Sequence, residues 1–417
     1  MARFLLLGNR SIQHSLAVRL KSEGNTVDVF PGQNFGGYKI TTDPVANEYD
    51  CLVVGSTRYF DHAVVKEALR NSSCAVFGVD DAAGRLETSK YFFSDFARKN
   101  GIPSPASVAF TNFKDALDFV RSHEPPYVIK AAGPARGCGV EITDSISEAE
   151  KDLRRKLVDT ESPYFSREVT IERFVEGFEV AVNIFLDGNN YVILPPTKPH
   201  KRRNDNDAGP NVAGMGSFSP LQLNASFYSE LSKSVVTPTM KAIRSAGWYF
   251  RGCLFVNLML NDDGISVLEF NCRMGDPATL VDIELLESPL TDLLLHTANG
   301  TLAKVIPVFK NGFAVATTIV ESEYPNQSQE AGPFILPAEG SSGKLFIAGL
   351  HLTNAGLFSN NGVIGSAVAY GNSTKNAKSQ SLALARRFIH LNPAIPLDCR
   401  NDISNAIVPP QRFAPLL

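Results

Sequence analysis

Short apolar runs alternate with amphipathic stretches along the first 80 residues. Apolar runs occupy residues 3–8, 27–30, 51–55 and 75–78, and residues 12–20 repeat apolar positions with helical spacing. Strands that alternate with helices are typical of a parallel sheet covered by its crossover connections. The pattern therefore predicts a small parallel α/β domain at the start of the chain.

The pattern changes after this domain. A helix is predicted over 81–99, ended by Asn100, Gly101 and Pro103, and a long polar loop is predicted between Pro195 and Pro220. Further strands and one helix are predicted as follows: strands at 127–130, 170–174, 178–182 and up to 268, strands near 313–320, 344–350 and 364–369, and a helix near 375–390. The chain is thus an α/β and α+β multidomain protein, with an N-terminal α/β domain at 1–104, a core at 105–303 and a small C-terminal α+β domain at 304–417.

Composition narrows the class of protein. The net charge of −3 comes from interspersed acidic and basic residues, which argues against a nucleic-acid surface or a polybasic membrane patch. No run approaches the roughly 20 apolar residues that a membrane span needs. The 6 cysteines are scattered without a C-x-x-C pair, as expected for reduced thiols. We expect a cytoplasmic enzyme with small-molecule partners, which binds neither nucleic acid nor membrane.

The strongest chemical signal lies at the end of an apolar run. Side chains alternate along a strand, so Glu269 and Asn271 point to one face while Phe270 packs on the other. A carboxylate beside an amide oxygen supplies hard donors, which Mg²⁺ prefers when it also holds phosphates. Arg273 and Asp276 follow directly. Alone, Glu-x-Asn fits an ordinary polar strand terminus equally well.

Two other segments suggest a phosphate-bearing ligand. Lys130 ends an apolar strand just before the glycine-rich residues 133–140, whose backbone N–H groups are able to approach phosphates. The alternative is a hairpin with an exposed lysine. Glu172 and Glu179 flank residues 174–178, which suit a linker that pairs with an adenine edge, with Glu179 accepting from ribose hydroxyls. The alternative is a pair of exposed glutamates at strand ends.

The order of these segments is more specific than any one of them. From Lys90 through Lys130 and Glu172 to Glu269, the chain resembles the ATP-grasp superfamily, in which two α+β lobes clasp ATP. Four motifs narrow the resemblance: residues 86–90 match L-E-G-S-K; 200–202 with Asp205 and Asp207 resemble H-K-R…D-x-D; 209–220 resemble G-P-N-T-G-G-M-G-A-Y-S-P; and 268–277 resemble I-E-F-N-C-R-F-G-D-P. These motifs resemble the phosphoribosylamine–glycine ligase family over essentially the whole chain.

The resemblance implies a role for each matching residue. ATP would contact Lys90, Lys130, Glu172, Arg173, Phe174, Val175, Glu179 and Lys201; Mg²⁺ (or Mn²⁺) would contact Glu269 and Asn271; the transferring phosphoryl group would contact Arg273, Lys130 and Arg136; and the substrates would contact Asn9, Ser56, Asn211, Gly214, Met215, Asp276 and Pro277. The implied reaction is attack of a carboxylate on the γ-phosphate, followed by amide formation. Such chemistry needs alignment and charge neutralisation more than a nucleophilic side chain.

The substrate half departs from the family pattern. Arg10 and Ser11 replace two glycines, Ser56 and Thr57 replace a Pro-Glu pair, and Ala278 replaces a glutamate. With the metal and nucleotide residues kept, these changes indicate an ATP-dependent carboxylate–amine ligase with a changed substrate pair, working as a monomer or homodimer. Two alternatives stay open: an authentic phosphoribosylamine–glycine ligase, and a non-catalytic ATP-binding regulator.

Overall fold

The computed structural model describes the whole chain except residues 32–38, 41–43, 72–73, 134–138, 163, 327–331, 339–342, 349, 360–361, 406–407 and 416–417. The strands, in chain order, are β1 (Arg3–Leu7), β2 (Thr26–Phe30), β3 (Lys39–Ile40), β4 (Cys51–Val54), β5 (Ala75–Val79), β6 (Ser107–Phe110), β7 (Tyr127–Ala131), β8 (Val140–Thr143), β9 (Val169–Arg173), β10 (Phe178–Leu186), β11 (Tyr191–Ile193), β12 (Lys198–Pro199), β13 (Arg202–Asn204), β14 (Ala208–Asn211), β15 (Gly216–Ser219), β16 (Phe250–Asn261), β17 (Gly264–Asn271), β18 (Phe313–Glu321), β19 (Lys344–Ile347), β20 (Leu350–Thr353), β21 (Gly356–Ser359), β22 (Val363–Gly371) and β23 (Leu397–Cys399).

The α-helices are α1 (Ser11–Ser22), α2 (Ala63–Asn71), α3 (Asp81–Thr88), α4 (Lys90–Lys99), α5 (Phe113–Arg121), α6 (Ile146–Leu157), α7 (Ala225–Glu230), α8 (Thr237–Ser245), α9 (Ala278–Leu285), α10 (Leu290–Ala298) and α11 (Thr374–Leu391). A π-helical segment, Leu231–Val236, joins α7 to α8, and short 3₁₀ turns occur at Ala46–Glu48, Thr57–Tyr59, Asp205–Asp207, Leu302–Lys304 and Gln411–Phe413.

One large sheet joins the N-terminal domain to the core. Its order is β11-β10-β16-β5-β4-β1-β2-β3, with β17 paired to β16. The strands from β5 to β3 are parallel, as predicted, because helices α1 and α2 form the crossovers. Strand β16 pairs antiparallel with β5 at Phe250↔Val79 and Arg251↔Gly78, and with β10 and β17 further along. The parallel sheet and the strand pair that bears Glu269 are therefore continuous.

Two smaller sheets complete the fold. A four-stranded antiparallel sheet, β6-β9-β7-β8, carries α5 and α6 and has its own apolar core around Ile129 and Leu153. A six-stranded sheet, β12-β15-β18-β22-β19 with β23 on β18, carries α11. Strands β12 and β15 belong to the predicted core at 105–303, yet they pair within the sheet of the C-terminal domain. The domain bounds 1–104, 105–303 and 304–417 stay predictions.

The helix predicted over 81–99 is wrong in one respect, because it is two helices. Ser89 has extended φ/ψ angles of −130° and 113°, and its hydroxyl accepts a hydrogen bond from the Phe92 N–H. A serine in this position caps the new helix and satisfies one of its free N–H groups. The break makes Lys90 the first residue of α4.

The loop predicted between Pro195 and Pro220 also differs. It contains β12, the hairpin β13–β14, and β15, which pairs with β18 at Ser217↔Ala316. Alternating polar and small residues gave no strand signal there, because these pairings are made to distant parts of the chain.

Two observations in the described part of the chain concern membrane-spanning helices and cysteines. No helix there is both long and apolar enough to cross a bilayer. Cys51, Cys74, Cys253, Cys272 and Cys399 are free thiols, and four of these five are buried. Cys138 lies outside the described residues.

Candidate active site

A cleft of about 400 Å³ opens between the four-stranded sheet and the β16–β17 edge of the large sheet. Loops from the N-terminal parallel strands reach its other end. Sixteen of the residues predicted for the site line it: Ser56, Lys90, Lys130, Glu172, Arg173, Phe174, Val175, Glu179, Lys201, Asn211, Gly214, Glu269, Asn271, Arg273, Asp276 and Pro277. Residues up to 221 positions apart in the chain are thus brought to one cavity.

Glu269 lies at the centre of this cleft. It sits on β17 opposite Asn257 of β16, and the Asn257 amide donates to Glu269 Oε1 at 2.9 Å. Lys90 donates to Glu269 Oε2 at 2.6 Å. Burial alone would raise the pKa of Glu269, but Lys90 and Lys201 outweigh it and hold that pKa well below its usual range. Glu269 is therefore a carboxylate at any physiological pH.

Lys130 and Glu172 form a buried ion pair at the other wall. The Lys130 ammonium lies 2.6 Å from Glu172 Oε2 and also donates to the Leu268 carbonyl at 3.1 Å. Both residues are buried, so neither is the exposed residue of the alternative interpretations. Strands β7 and β9 place Lys130 opposite Thr170, which makes Glu172 its diagonal neighbour on the same face.

Lys201 connects Glu179 and Glu269. Its Nζ lies 2.5 Å from Glu179 Oε1 and 3.9 Å from Glu269 Oε1. Burial would lower the pKa of Lys201, but the two carboxylates outweigh it and raise the pKa. The ammonium is therefore charged, and it lies between the predicted ribose contact and the predicted metal ligand.

Arg273 is held by Glu87, an acid for which no role was predicted. Its Nε donates to Glu87 Oε1 at 3.0 Å, and its Nη2 donates to Asn271 Oδ1 at 3.4 Å. Glu87 is 2 % exposed and also accepts from the Cys272 N–H at 2.9 Å. Glu87 lies in the motif at 86–90, three positions before the predicted Lys90. Membership of this motif was the one sequence feature that could have indicated a role for Glu87 in the site.

The far end of the cleft is formed by the segments that depart from the family. The Ser11 hydroxyl binds both oxygens of Asp276, at 2.8 and 2.9 Å. Arg10 lines the cleft and opposes the effect of burial on Asp276, whose pKa is nevertheless raised by that burial. Arg58 lines the same end. Arg10 and Arg58 follow the paired parallel strands β1 and β4, whose carboxyl ends meet at one edge.

A close backbone contact shapes this end. Gly214 has a φ of +122°, and a Cβ there would lie 3.0 Å from the Pro277 ring. Any larger residue at Gly214 is therefore strained by its backbone and pressed against Pro277. The loop at Asn211 to Gly214 thus reaches the segment that carries Asp276.

Three predicted site residues are not placed in the cleft. Met215 is fully buried and packs with Val212, Val320 and Tyr324, so its side chain does not line the cleft. Asn9 is exposed and does not line the cleft either, whereas the neighbouring Arg10 does. Arg136 lies outside the described residues.

The oxygen donors fit a magnesium ion that shares its coordination with a phosphate. Asn257 Oδ1 is buried beside Glu269 and has no hydrogen-bond partner among the described residues, and Asn271 offers a second amide oxygen. The described part of the chain has no cluster of three His, Cys, Asp or Glu side chains placed to hold a metal ion. One carboxylate with amide oxygens suits Mg²⁺, which usually takes few protein ligands and keeps phosphates and waters.

Comparison with known proteins agrees with this geometry. Residues 88–279 match the family model described as phosphoribosylglycinamide synthetase, ATP-grasp (A) domain. The chain is 32 % identical to a phosphoribosylamine–glycine ligase of Vibrio cholerae, with 96 % of this chain and 97 % of the relative covered. A Vibrio parahaemolyticus enzyme of the same name is 30 % identical, covering 92 % and 94 %.

A solved structure supports the same assignment. The phosphoribosylamine–glycine ligase of Thermotoga maritima superposes with a TM-score of 0.82 at 27 % identity, covering 96 % of this chain and all of the other. The match therefore extends over the N-terminal domain, the core and the C-terminal sheet together. This chain belongs to the phosphoribosylamine–glycine ligase family of ATP-grasp enzymes, which form carbon–nitrogen bonds.

Proposed function

We propose that this protein is an ATP- and Mg²⁺-dependent ligase that joins a carboxylic acid to an amine. We propose further that this substrate pair differs from glycine and phosphoribosylamine. One observation carries the ligase assignment: Lys90, Lys130, Lys201 and Arg273 converge on one cleft, each within 3.0 Å of a carboxylate. A triphosphate entering the cleft would take over these cations, since phosphate oxygens accept charge-assisted hydrogen bonds as carboxylates do.

The residues divide the work as follows. Lys90 and Lys130 bind phosphate oxygens, the backbone from Glu172 to Val175 faces the adenine edge, and Glu179 accepts from ribose. Glu269 and Asn271, with Asn257, would hold Mg²⁺, which supplies charge neutralisation between the phosphates. Mn²⁺ offers similar coordination. Arg273, held by Glu87, is positioned to stabilise charge on the transferring phosphoryl group.

The bond changes balance without a protein nucleophile. An oxygen of the substrate carboxylate attacks the γ-phosphorus and ADP leaves, which gives an acyl phosphate. The amine then attacks the carbonyl carbon, phosphate leaves, and the ammonium proton is lost to solvent. The protein contributes alignment and fixed charge, which account for most of the catalysis in phosphoryl transfer.

The changed substrate pair is supported by the far end of the cleft. Arg10 and Ser11 stand where the family pattern has glycines, and Ser11 binds Asp276 directly. Ser56 lines the same end, in the segment where the pattern has a carboxylate. These side chains add bulk and charge where the pattern leaves the backbone open. A cytoplasmic location and a monomeric or dimeric state belong to this proposal too.

ADP release tests the proposal. We would measure it with glycine plus phosphoribosylamine, and then with a panel of amino acids and amines. Turnover with a panel pair, with transfer of ¹⁸O from labelled carboxylate to inorganic phosphate, supports the proposal. ADP release only with phosphoribosylamine and glycine would instead identify an authentic phosphoribosylamine–glycine ligase. MgATP binding without ADP release for any pair would identify a non-catalytic regulator.

A further inference from the structure

The hairpin β13–β14 separates two cleft residues, Lys201 and Asn211. Lys201 precedes β13, Asn211 ends β14, and the Val212 N–H donates to the Lys201 carbonyl at 2.8 Å. None of residues 202–210 of the hairpin lines the cleft. It contains Asp205 and Asp207, the acidic pair of the family-like motif, to which the proposed chemistry gives no role.

Arg400, in the chain after β23, holds this hairpin. Its side chain is fully buried at 2 % exposure. Its Nη1 donates to the Arg202 carbonyl at 3.0 Å and to Asp207 Oδ1 at 2.8 Å. Its Nε and Nη2 donate to the two oxygens of Asp402 at 2.7 and 2.5 Å. One guanidinium thus fixes both the start and the turn of the hairpin.

The turn needs this support because its backbone is strained. Asn206 and Asp207 have φ angles of 59° and 52°, a left-handed conformation that is unfavourable for most non-glycine residues and is tolerated mainly by Asn and Asp. Asp402 Oδ2 accepts from the Asn206 N–H at 2.8 Å, and Asp205 accepts from the Asn401 N–H at 2.8 Å. The segment from Arg400 to Asp402 therefore binds three consecutive residues of the turn.

We propose that Arg400 is a positioning residue for nucleotide binding, which acts through the hairpin to hold the Lys201 ammonium between Glu179 and Glu269. The inference rests on the nucleotide cleft of the proposed function and extends it to a part of the chain that touches no substrate. Asp205 and Asp207 then serve as structural partners of the C-terminal segment, not as ligands of a metal.

A double-mutant cycle tests the pathway through Lys201. Titration calorimetry of MgATP would compare the wild type with Arg400→Ala, Lys201→Ala and the double variant. Each single variant should raise the Kd about 10-fold, and the double variant should bind no more weakly than Lys201→Ala. Additive losses, or a wild-type Kd in Arg400→Ala, would overturn the inference.

A more conservative variant, Asp207→Asn, distinguishes a specific effect on MgATP binding from a general loss of folding. Asp207→Asn keeps a residue that tolerates the left-handed turn and removes only the charge that Arg400 binds; its side chain is 62 % exposed. It should also weaken MgATP binding, at an unchanged melting temperature. The matched control is Arg387→Ala, an exposed arginine on α11, and it should bind MgATP like the wild type.

Amide hydrogen exchange separates this inference from the proposed function. The Val212 amide should exchange faster in Arg400→Ala than in the wild type or Arg387→Ala, whether or not nucleotide binds. Unchanged exchange would show that Arg400 does not hold the hairpin, which overturns the inference. Failure of the wild-type protein to bind MgATP would overturn both the proposed function and the positioning role. The exchange data would still decide whether Arg400 holds the hairpin.

Discussion

Lys90 and Glu269 meet at 2.6 Å although 179 positions separate them in the chain. Lys90 begins α4 because Ser89 interrupts the preceding helix. Glu269 lies near the end of strand β17. The pair closes the cleft between a helix of the N-terminal half and the strand that bears the predicted metal ligands. Lys90 is thus one of the two lysines that hold the pKa of Glu269 well below its usual range.

Replacing Glu269 by Gln should abolish turnover. The substitution keeps the shape but removes the carboxylate that Lys90 and Lys201 neutralise and that Mg²⁺ would bind. We expect ADP release to fall by about 10³-fold or more, as for loss of a central electrostatic group. Glu124→Gln, an exposed glutamate between α5 and β7, is the control and should keep wild-type rates. A turnover rate in Glu269→Gln close to that of the control would contradict the metal assignment.

Breaking the Lys130–Glu172 pair should cost stability as well as activity. Lys130→Met leaves Glu172 buried without its cation, which typically costs about 3–5 kcal/mol. The double variant Lys130→Met/Glu172→Gln should recover much of the free energy of unfolding but none of the ligase activity. Urea denaturation and ADP release measure the two effects.

The control for this pair is Lys151→Ala, because Lys151 forms an exposed ion pair with Glu148. Exposed pairs contribute about 0–1 kcal/mol, so stability should barely change. If Lys130→Met were as stable and as active as Lys151→Ala, the buried pair would have no role in either property.

Stability should depend on pH through Asp282. Burial raises the pKa of this carboxyl to about 8, against a lowering hydrogen bond from Asn183. Because the folded pKa exceeds the unfolded one, the stabilising contribution is complete below about pH 4 and is lost as the pH rises towards 8. Asp282→Asn should remove this slope, which amounts to at most about 1.4 kcal/mol per pH unit.

Urea denaturation at several pH values between 5 and 9 measures this dependence. Asp262→Asn, at an exposed turn, should retain the wild-type slope. Since Asn183 also accepts from the Gly275 N–H at 3.2 Å, the loop before Asp276 rests on this network. Identical pH profiles for Asp282→Asn and the wild type would refute the assignment of the slope to Asp282.

Substrate choice should change when the family glycines are restored. Arg10→Gly/Ser11→Gly removes the cation and the hydroxyl that contact the Asp276 region. We expect the KM of the acceptor pair found in the ADP-release panel to rise about 10-fold, while the Kd of MgATP stays constant. Arg70→Ala, an exposed arginine on α2, should change neither. An unchanged KM with weaker MgATP binding would reverse the roles assigned to the two ends of the cleft.

The pattern of residues along a single strand predicted the positions of Glu269 and Asn271. The other contacts in the site depend on pairing between elements that are distant in the chain. Glu269 and Asn271 share a face because alternation along one strand is a local property. The partnership of Lys130 with Glu172 depends on the register of β7 against β9, and that of Arg273 with Glu87 depends on packing of α3 against β17, which no local pattern encodes. The burial of Met215 was not predicted for a related reason, since its motif gives no sign of which members face the core.

The fold shows the same division. Most predicted strands coincide with observed ones, because buried runs of Val, Leu and Ile are strong signals. The strands between residues 198 and 219 escaped prediction, since their partners lie in β18 and within a polar hairpin. Ser89 was a cap hidden inside an amphipathic pattern that continues on both sides of it.

Strand β16 connects the N-terminal parallel sheet to the strand that bears Glu269. Its backbone packs against β5 so closely that a Cβ at Gly252 would lie 2.9 Å from the Gly78 nitrogen, and the same strand carries Asn257 beside Glu269. A continuous twelve-residue strand resists bending between these two points. We therefore expect nucleotide entry and product exit to depend on movement of the four-stranded sheet relative to β16. The proposed acceptor end of the cleft and the proposed metal ligands should keep their positions relative to each other.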